Sequence, residues 1–437
     1  MADFNPGTEI FTEEAVPQSL ALPEALQPPT QLVGPVFMAG QAFLNAIIWA
    51  TIIPIQSLLL PIQVAGLDPT NKVPLLSLVT LIGGIAALIG PPISGAFSDR
   101  TTGRFGRRRP WILGCAIGAA VGMLLMATAQ SIALLALGYV IFGLMVNMVL
   151  IPTLATIPDL VPVQQRATVS AFVGLAQPVG TLLGTIVIAQ ITRSPQISYA
   201  VLSISFVILA VLFVLTVTEK PLPRGTLPPF SLASFLRTFV VHPFKNRDFC
   251  FTWFARFFAI LSQVTFSVFL LYFLQDVVHY GRLFPGQTPA QGVAIFQMIY
   301  TLLLIIATLV GGIISDRLQR RKIFIIVGNL LMALAALLMA IFLNWTFVVI
   351  TAAIFGFGFG LYISADVALV SQVLPKVESQ GKDFGLIMSA NVIPLLLLPV
   401  ISSLAFGVFH GYAALYVICG VGAFLAALLI IPIRGVH

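Results

Sequence analysis

The sequence predicts an all-α membrane protein of twelve transmembrane helices, arranged as two pseudo-symmetric six-helix bundles. Three observations carry that prediction. Of 437 residues, 59% are hydrophobic and 8% charged, whereas soluble domains carry about 25% charged residues; mean hydropathy is +1.04. Apolar runs recur at about the 20 residues that a bilayer core demands of a helix. One junction is also written twice. Gly95 to Arg109 reads G-A-F-S-D-R-T-T-G-R-F-G-R-R-R and Gly312 to Lys322 reads G-I-I-S-D-R-L-Q-R-R-K, each an Asp-Arg pair that closes an apolar segment.

The first six segments fall at Leu32–Ile53, Leu75–Phe97, Pro110–Ala129, Ile132–Ile157, Ala167–Ile191 and Ser198–Val217. The second six fall at Phe249–Phe273, Gly292–Ile314, Ile323–Phe342, Phe347–Val370, Phe384–Phe406 and Ala413–Ile433. Each must be helical, because lipid offers bare backbone no hydrogen-bond partner. The weakest divisions are the tight turns near Gln130 and Asn344.

Residues 1–30 are polar, acidic and Pro-containing, without a basic n-region; they read as a disordered cytoplasmic tail ahead of a retained first span. Residues 31–217 then form the N-terminal bundle, 218–248 a cytoplasmic linker and 249–437 the C-terminal bundle. Within the linker, Phe230–Phe244 sets aromatics beside Arg237 and His242, which suits a helix lying at the membrane surface and equally a plain linker. The halves also match in I-P-D-L-V-P (Ile157 to Pro162) against S-Q-V-L-P (Ser371 to Pro375). Such repeats place a substrate site at their interface near the midplane.

Orientation follows from the positive-inside bias. A cytoplasmic N-terminus leaves Lys72, Arg193 and Arg282 outside. Every other Lys and Arg falls in a cytoplasmic loop, a tail, or the inner part of segment 7, and the even span count returns the C-terminus to the cytoplasm. The formal charge of +7 is thus accounted for by topology, and nucleic acid is not expected as a partner. Cys115, Cys250 and Cys419 sit in apolar segments and imply no disulfide framework. There is no P-loop, nucleophile elbow or metal-spaced histidine cluster, so no enzymatic activity, cofactor or metal is expected. A multi-pass protein of a cell membrane is expected, the bacterial inner membrane given its minimal loops, and working as a monomer.

These residues carry a family resemblance. Six plus six segments with an Asp-Arg hairpin between segments 2 and 3, echoed between 8 and 9, resemble the major facilitator superfamily. The extended hairpin D-R-T-T-G-R-F-G-R-R-R-P-W-I is similar to that of the glycoside–pentoside–hexuronide:cation symporters and the plant-type sucrose/proton symporters. So are D-L-V-P-V-Q-Q-R after segment 4, N-R-D-F before segment 7 and G-K-D-F-G opening segment 11. The resemblance implies the major facilitator fold, a cavity lined by segments 1, 4, 7 and 10, and alternating access. It also implies a cytoplasmic gate at Asp99, Arg100 and Arg104, with a second copy at Asp316 and Arg317. Arg107, Arg108 and Arg109 read instead as topology-setting charges that meet anionic lipid heads. The melibiose-type cation site uses acidic residues on N-terminal helices, where this chain has no charge clearly buried in its spans, so a proton or no coupling ion at all is expected rather than sodium.

Charges at membrane depth are costly and by default mark function. Arg256 and Asp366 both lie roughly 10–14 Å from the cytoplasmic ends of their helices at 1.5 Å per residue. They are expected to pair across the cavity, with Asp366 as the proton-coupling group; the rival reading is a permanent pair that holds two helices together. Helical phase puts Arg256, Gln263 and Ser267 on one face and Phe355, Phe359, Tyr362 and Asp366 on another. Gln41, Asn45, Trp49 and Gln56 share a third, with Asn147 and Asn391 as further polar candidates. Amides beside rings suit a polyhydroxylated ligand, while rings at this spacing equally suit helix packing. The predicted function is a secondary active transporter of a small polar solute, a sugar or glycoside, by proton symport. The rivals are a proton-driven exporter of drugs or lipids, kept open by 34 phenylalanines, and a non-transporting receptor or scaffold.

Overall fold

The computed structural model describes residues 29–191, 194–219, 221–222, 247–318, 320–373, 389–409 and 411–433. Most of the expected tail, the segment at 230–244 and the G-K-D-F-G motif therefore lie outside the described residues.

Among the described residues, eleven helices are long and apolar enough to cross a membrane, and a bent pair counted as one span makes twelve. In the first half they are α1 (Pro35–Leu67), α2 (Lys72–Asp99), α3 (Arg109–Ala127), α4 (Ile132–Leu160), α5 (Val163–Ile191) and α6 (Pro195–Thr216). In the second they are α7 (Arg247–Val268, continued by Leu270–Asp276), α8 (Pro289–Leu318), α9 (Arg321–Ile341) and α10 (Trp345–Val373). The last two are α11 (Ser389–Leu396 with Leu398–Val408) and α12 (Tyr412–Ile430). Lipid-facing stripes are apolar, as at Ile204, Ile208 and Leu215 of α6.

The two weakest divisions are punctuated by caps. Ser131 Oγ accepts from the Leu134 N–H at 3.3 Å to start α4, and Asn344 Oδ1 accepts from the Phe347 N–H at 3.1 Å to start α10. Both supply an acceptor to otherwise orphaned N–H groups. The halves repeat one packing pattern: α2 lies on α4, α3 on α4 and α6, and α1 on α6, while α8 lies on α10, α9 on α10 and α12, and α7 on α12. They meet through α5 against α8 and α2 against α11. Glycine permits the tightest approaches: a Cβ on Gly184 would stand 2.3 Å from the Ala50 carbonyl of α1, and one on Gly356 2.3 Å from the Tyr300 carbonyl of α8.

Three elements depart from the expected bounds, each at a helix irregularity. α1 runs on past Ile53 through Pro54 and Pro61 because a π-helical turn, Ile55–Leu59, lies between the prolines; such a turn absorbs the lost i→i−4 bonds. α7 breaks at Phe269. α11 bends by 42° between Pro394 and Pro399. Asp316 and Arg317 fall in the last turn of α8 rather than after it.

Candidate functional site

Arg256 lies nine residues into α7. Its Nη1 stands 2.8 Å from Asp366 Oδ2 of α10, with side chains 11% and 7% exposed. Its Nε donates to Asn391 Oδ1 of α11 at 2.9 Å. A planar guanidinium can serve two acceptors at once, so one side chain ties α7, α10 and α11. Trp253, one turn earlier, donates through Nε1 to Ser389 Oγ at 3.3 Å and stacks on Phe257. The sequence expects Arg256 and Asp366 to pair and treats Asn391 as a separate polar candidate; the fold makes all three one cluster, inside the C-terminal bundle.

Of the other sequence candidates, Tyr362 lies with its hydroxyl beside the Asp366 carboxylate, and the rest separate. Phe355 packs on Phe266 of α7 with centroids 4.6 Å apart, Phe359 on Tyr300 of α8, and Tyr362 on Phe359. Phe355 and Phe359 of the α10 stripe are therefore helix packing. Gln41 is fully buried, donating to the Thr153 carbonyl at 2.9 Å and accepting from Thr156 Oγ1 at 3.3 Å; it clamps α1 to α4 instead of facing a cavity. Asn45 donates to the Gln41 carbonyl one turn back. Gln263 bonds Ser267 on its own helix, and Trp49 is half-buried. Gln56 and Asn147 line a cavity of about 60 Å³ together with Thr80, Tyr139 and Leu395.

At the hairpin, the structure redistributes the roles of the arginines. Arg108 is buried: its Nη1 meets Asp99 Oδ1 at 2.5 Å and its Nε meets Asp159 Oδ2 at 3.0 Å, while Nη1 also donates to Ser98 Oγ at 2.7 Å. Arg107 Nη2 stands 2.5 Å from the other Asp159 oxygen. Arg100 donates to its own helix at Ala96, and Arg104 is exposed. Two of the three arginines expected to mark topology, Arg107 and Arg108, hold this network, because the turn at Gly103–Gly106 carries residues 107 and 108 back under the ends of α2 and α4. In the second copy, Arg317 is exposed.

Two acidic residues absent from the sequence reading complete the network. Asp159 sits in the I-P-D-L-V-P motif that was already visible. Glu219, just past α6, accepts from the Arg108 N–H at 2.8 Å and so caps the start of α3. Gly106, at φ +88°, leaves the space: a Cβ there would fall on the Glu219 carboxylate. Burial pushes the Glu219 carboxyl above its ordinary value, partly offset by the backbone N–H groups of residues 107–109. These contacts join α2, α3, α4 and the end of α6, all within one bundle. At the matching place in the other half, Lys322 donates to the Ile433 carbonyl.

The opposite end joins the two halves. Lys72, opening α2, pairs with Asp276 at the end of α7 at 2.6 Å, and Asp276 also accepts from the Tyr412 hydroxyl at 2.6 Å. Lys72 stands 4.8 Å over the Tyr272 ring, whose hydroxyl donates to the Pro61 carbonyl at 2.9 Å. Ser77 donates to Ser402 at 2.8 Å. From sequence Lys72 was only a charge counted as outside.

Two six-helix halves, joined at one end, thus hold a buried ion pair and a small cavity lined by apolar residues and a few polar ones. Residues 63–413 match the model of the MFS/sugar transport protein family, and the chain belongs to that family. Proton-associated sugar transporter A of Homo sapiens is 50% identical over 58 residues, 13% of this chain and 8% of that protein. The transporter AmpG 4 of Rickettsia conorii is 28% identical over 248 residues, 54% of this chain and 56% of its own length. The matches thus span less than two thirds of these relatives. Among solved structures, a peptide transporter POT in complex with sulfate superposes with a TM-score of 0.73 at 14% identity, covering 94% of this chain and 96% of that one. The nucleoside transporter NupG gives 0.68 at 14% identity, covering 90% and 98%. At such identities the likeness is one of fold.

Proposed function

We propose that the protein is a proton-coupled symporter of a small neutral sugar or glycoside, working by alternating access of its two halves. The observation that carries this reading is the buried Arg256–Asp366 pair braced by Asn391, in a chain of the MFS/sugar transport protein family. The name of the matched human relative, which joins proton and sugar, supports it. Movement that draws α7 away from α10 strips Asp366 of its counter-charge. An uncompensated carboxylate at that depth costs several kcal/mol, and binding one proton removes the charge. Proton uptake is thereby linked to the geometry of the half. In this reading the hairpin end and both termini face the cytoplasm, the Lys72–Asp276 end faces outward and is closed, and the protein works as a monomer.

Uptake of labelled disaccharides into proteoliposomes under an imposed inward proton gradient tests the proposal. Wild-type protein is expected to accumulate sugar above its external concentration, and Asp366→Asn only to equilibrate it. Undiminished accumulation by Asp366→Asn would remove that residue from coupling and leave the pair a structural tie.

A further inference from the structure

We infer that Gln56 and Asn147 form a subsite that holds a neutral hydroxyl-bearing arm of the ligand between the two halves. The inference rests on the sugar reading above and adds to it the residues and the kind of group they grip. Gln56 lies in the π-helical turn Ile55–Leu59 of α1, an arrangement often kept for function because it redirects side chains off the regular helical phase. Its side chain is almost fully buried, and Nε2 has no hydrogen-bond partner. A buried donor left unpaired costs about 1–3 kcal/mol, so the position is one that a ligand atom would stabilise.

Across the same cavity, Asn147 donates one of its two amide N–H bonds to the Gly143 carbonyl at 2.8 Å, which leaves the other N–H and the Oδ1 acceptor. A donor facing an acceptor is the demand of a hydroxyl, which both accepts and donates. The walls suit the carbon skeleton: the Tyr139 ring lies against Gly83 so closely that a Cβ there would stand 2.2 Å from it. Ile52 and Phe142 add apolar surface, and Leu395 closes the cavity from the other half. None of the lining residues is charged. The ammonium or carboxylate of a peptide would enter uncompensated, which is strongly unfavourable. The volume of about 60 Å³ holds about four to six waters at 10–15 Å³ each, which fits one hydroxylated edge of a sugar rather than a whole disaccharide.

The test is ligand-dependent thermal stabilisation of the purified full chain in detergent, with sucrose and dialanine as probes, on wild type, Gln56→Met and Gln56→Asn. Met keeps the length and removes the amide; Asn keeps the amide and withdraws it by one methylene. Sucrose is expected to stabilise wild type at a concentration about five- to tenfold lower than it does Gln56→Met, with Gln56→Asn between them and dialanine without effect. Unliganded melting temperature and size-exclusion profile separate lost binding from lost folding. Equal sucrose dependence in all three proteins would overturn the subsite and leave the sugar reading intact. Stabilisation by dialanine that weakens in Gln56→Met would overturn the hydroxyl assignment. No stabilisation of wild type by sucrose would overturn the sugar reading and the assignment together.

Discussion

Replacing Arg108 with Met removes the centre of the hairpin network, and the structure sets the size of the loss. The side chain is 7% exposed and serves Asp99, Asp159 and Ser98. Removing one partner of a fully buried pair costs about 3–5 kcal/mol, but two features lower that figure here. Asp99 is 52% exposed, so its share falls toward the 0–1 kcal/mol of a surface pair. Asp159 keeps Arg107 and is not stranded. What remains is the bond to Asp159 and the bond to Ser98, each about 1–1.5 kcal/mol, for a total of about 2–3 kcal/mol. Arg104→Met, at an exposed position, is expected within about 0.5 kcal/mol of wild type. Unfolding of the purified protein by titrated SDS, followed by tryptophan fluorescence, reads both; Trp111 stacks on Phe97 beside the hairpin and reports locally. The assignment of roles fails if Arg104→Met costs as much as Arg108→Met, or if Arg108→Met is neutral.

The pair at the other end predicts a charge-swap result. Lys72→Asp or Asp276→Lys alone should loosen the closed end by about 1 kcal/mol, the worth of a partly exposed pair, while the double exchange restores it. Labelling of a cysteine at Thr80→Cys by a membrane-impermeant maleimide should rise about fivefold in each single variant and fall back in the double, and a double variant no better than the singles rules the gate out. In α5, Gly184→Ala should cost about 1–3 kcal/mol by overpacking, since the Ala50 carbonyl cannot move aside. Gly174→Ala in the same helix meets nothing within 4 Å and should stabilise by about 0.5–1 kcal/mol; equal melting temperatures for the two would contradict the packing. Glu219 sets a pH dependence. Its carboxyl is raised by burial above the ordinary 4.5, so the folded state binds the proton more tightly than the unfolded chain. Its contribution is therefore complete below pH 4.5 and is lost as pH rises through the folded value. Glu219→Gln, which keeps an acceptor for the Arg108 N–H without the charge, should flatten that slope and raise the melting temperature at neutral pH, and an unchanged pH profile would exclude Glu219 as its source.

The sequence by itself determined the number of spans, the division into halves and the two charges at depth. These are matters of length, hydropathy and the cost of charge in lipid, and each acts through a contiguous stretch of chain. Even the tight turns at Ser131 and Asn344 carried their own caps. Partners were another matter. Helical phase alone could not tell that Gln41 turns to Thr153 while Gln56, fifteen residues on, faces a cavity, because the π turn between prolines resets the phase. Nor could it rank five neighbouring arginines. Only the return of the hairpin under α2 and α4 brings Arg107 and Arg108 to Asp159, and only the end of α6 brings Glu219 to the start of α3. The same holds for Lys72 and Asp276, two hundred residues apart and joined by the way one half rests on the other. Composition acts locally and is written locally. A site made by residues from several helices exists only once those helices have packed.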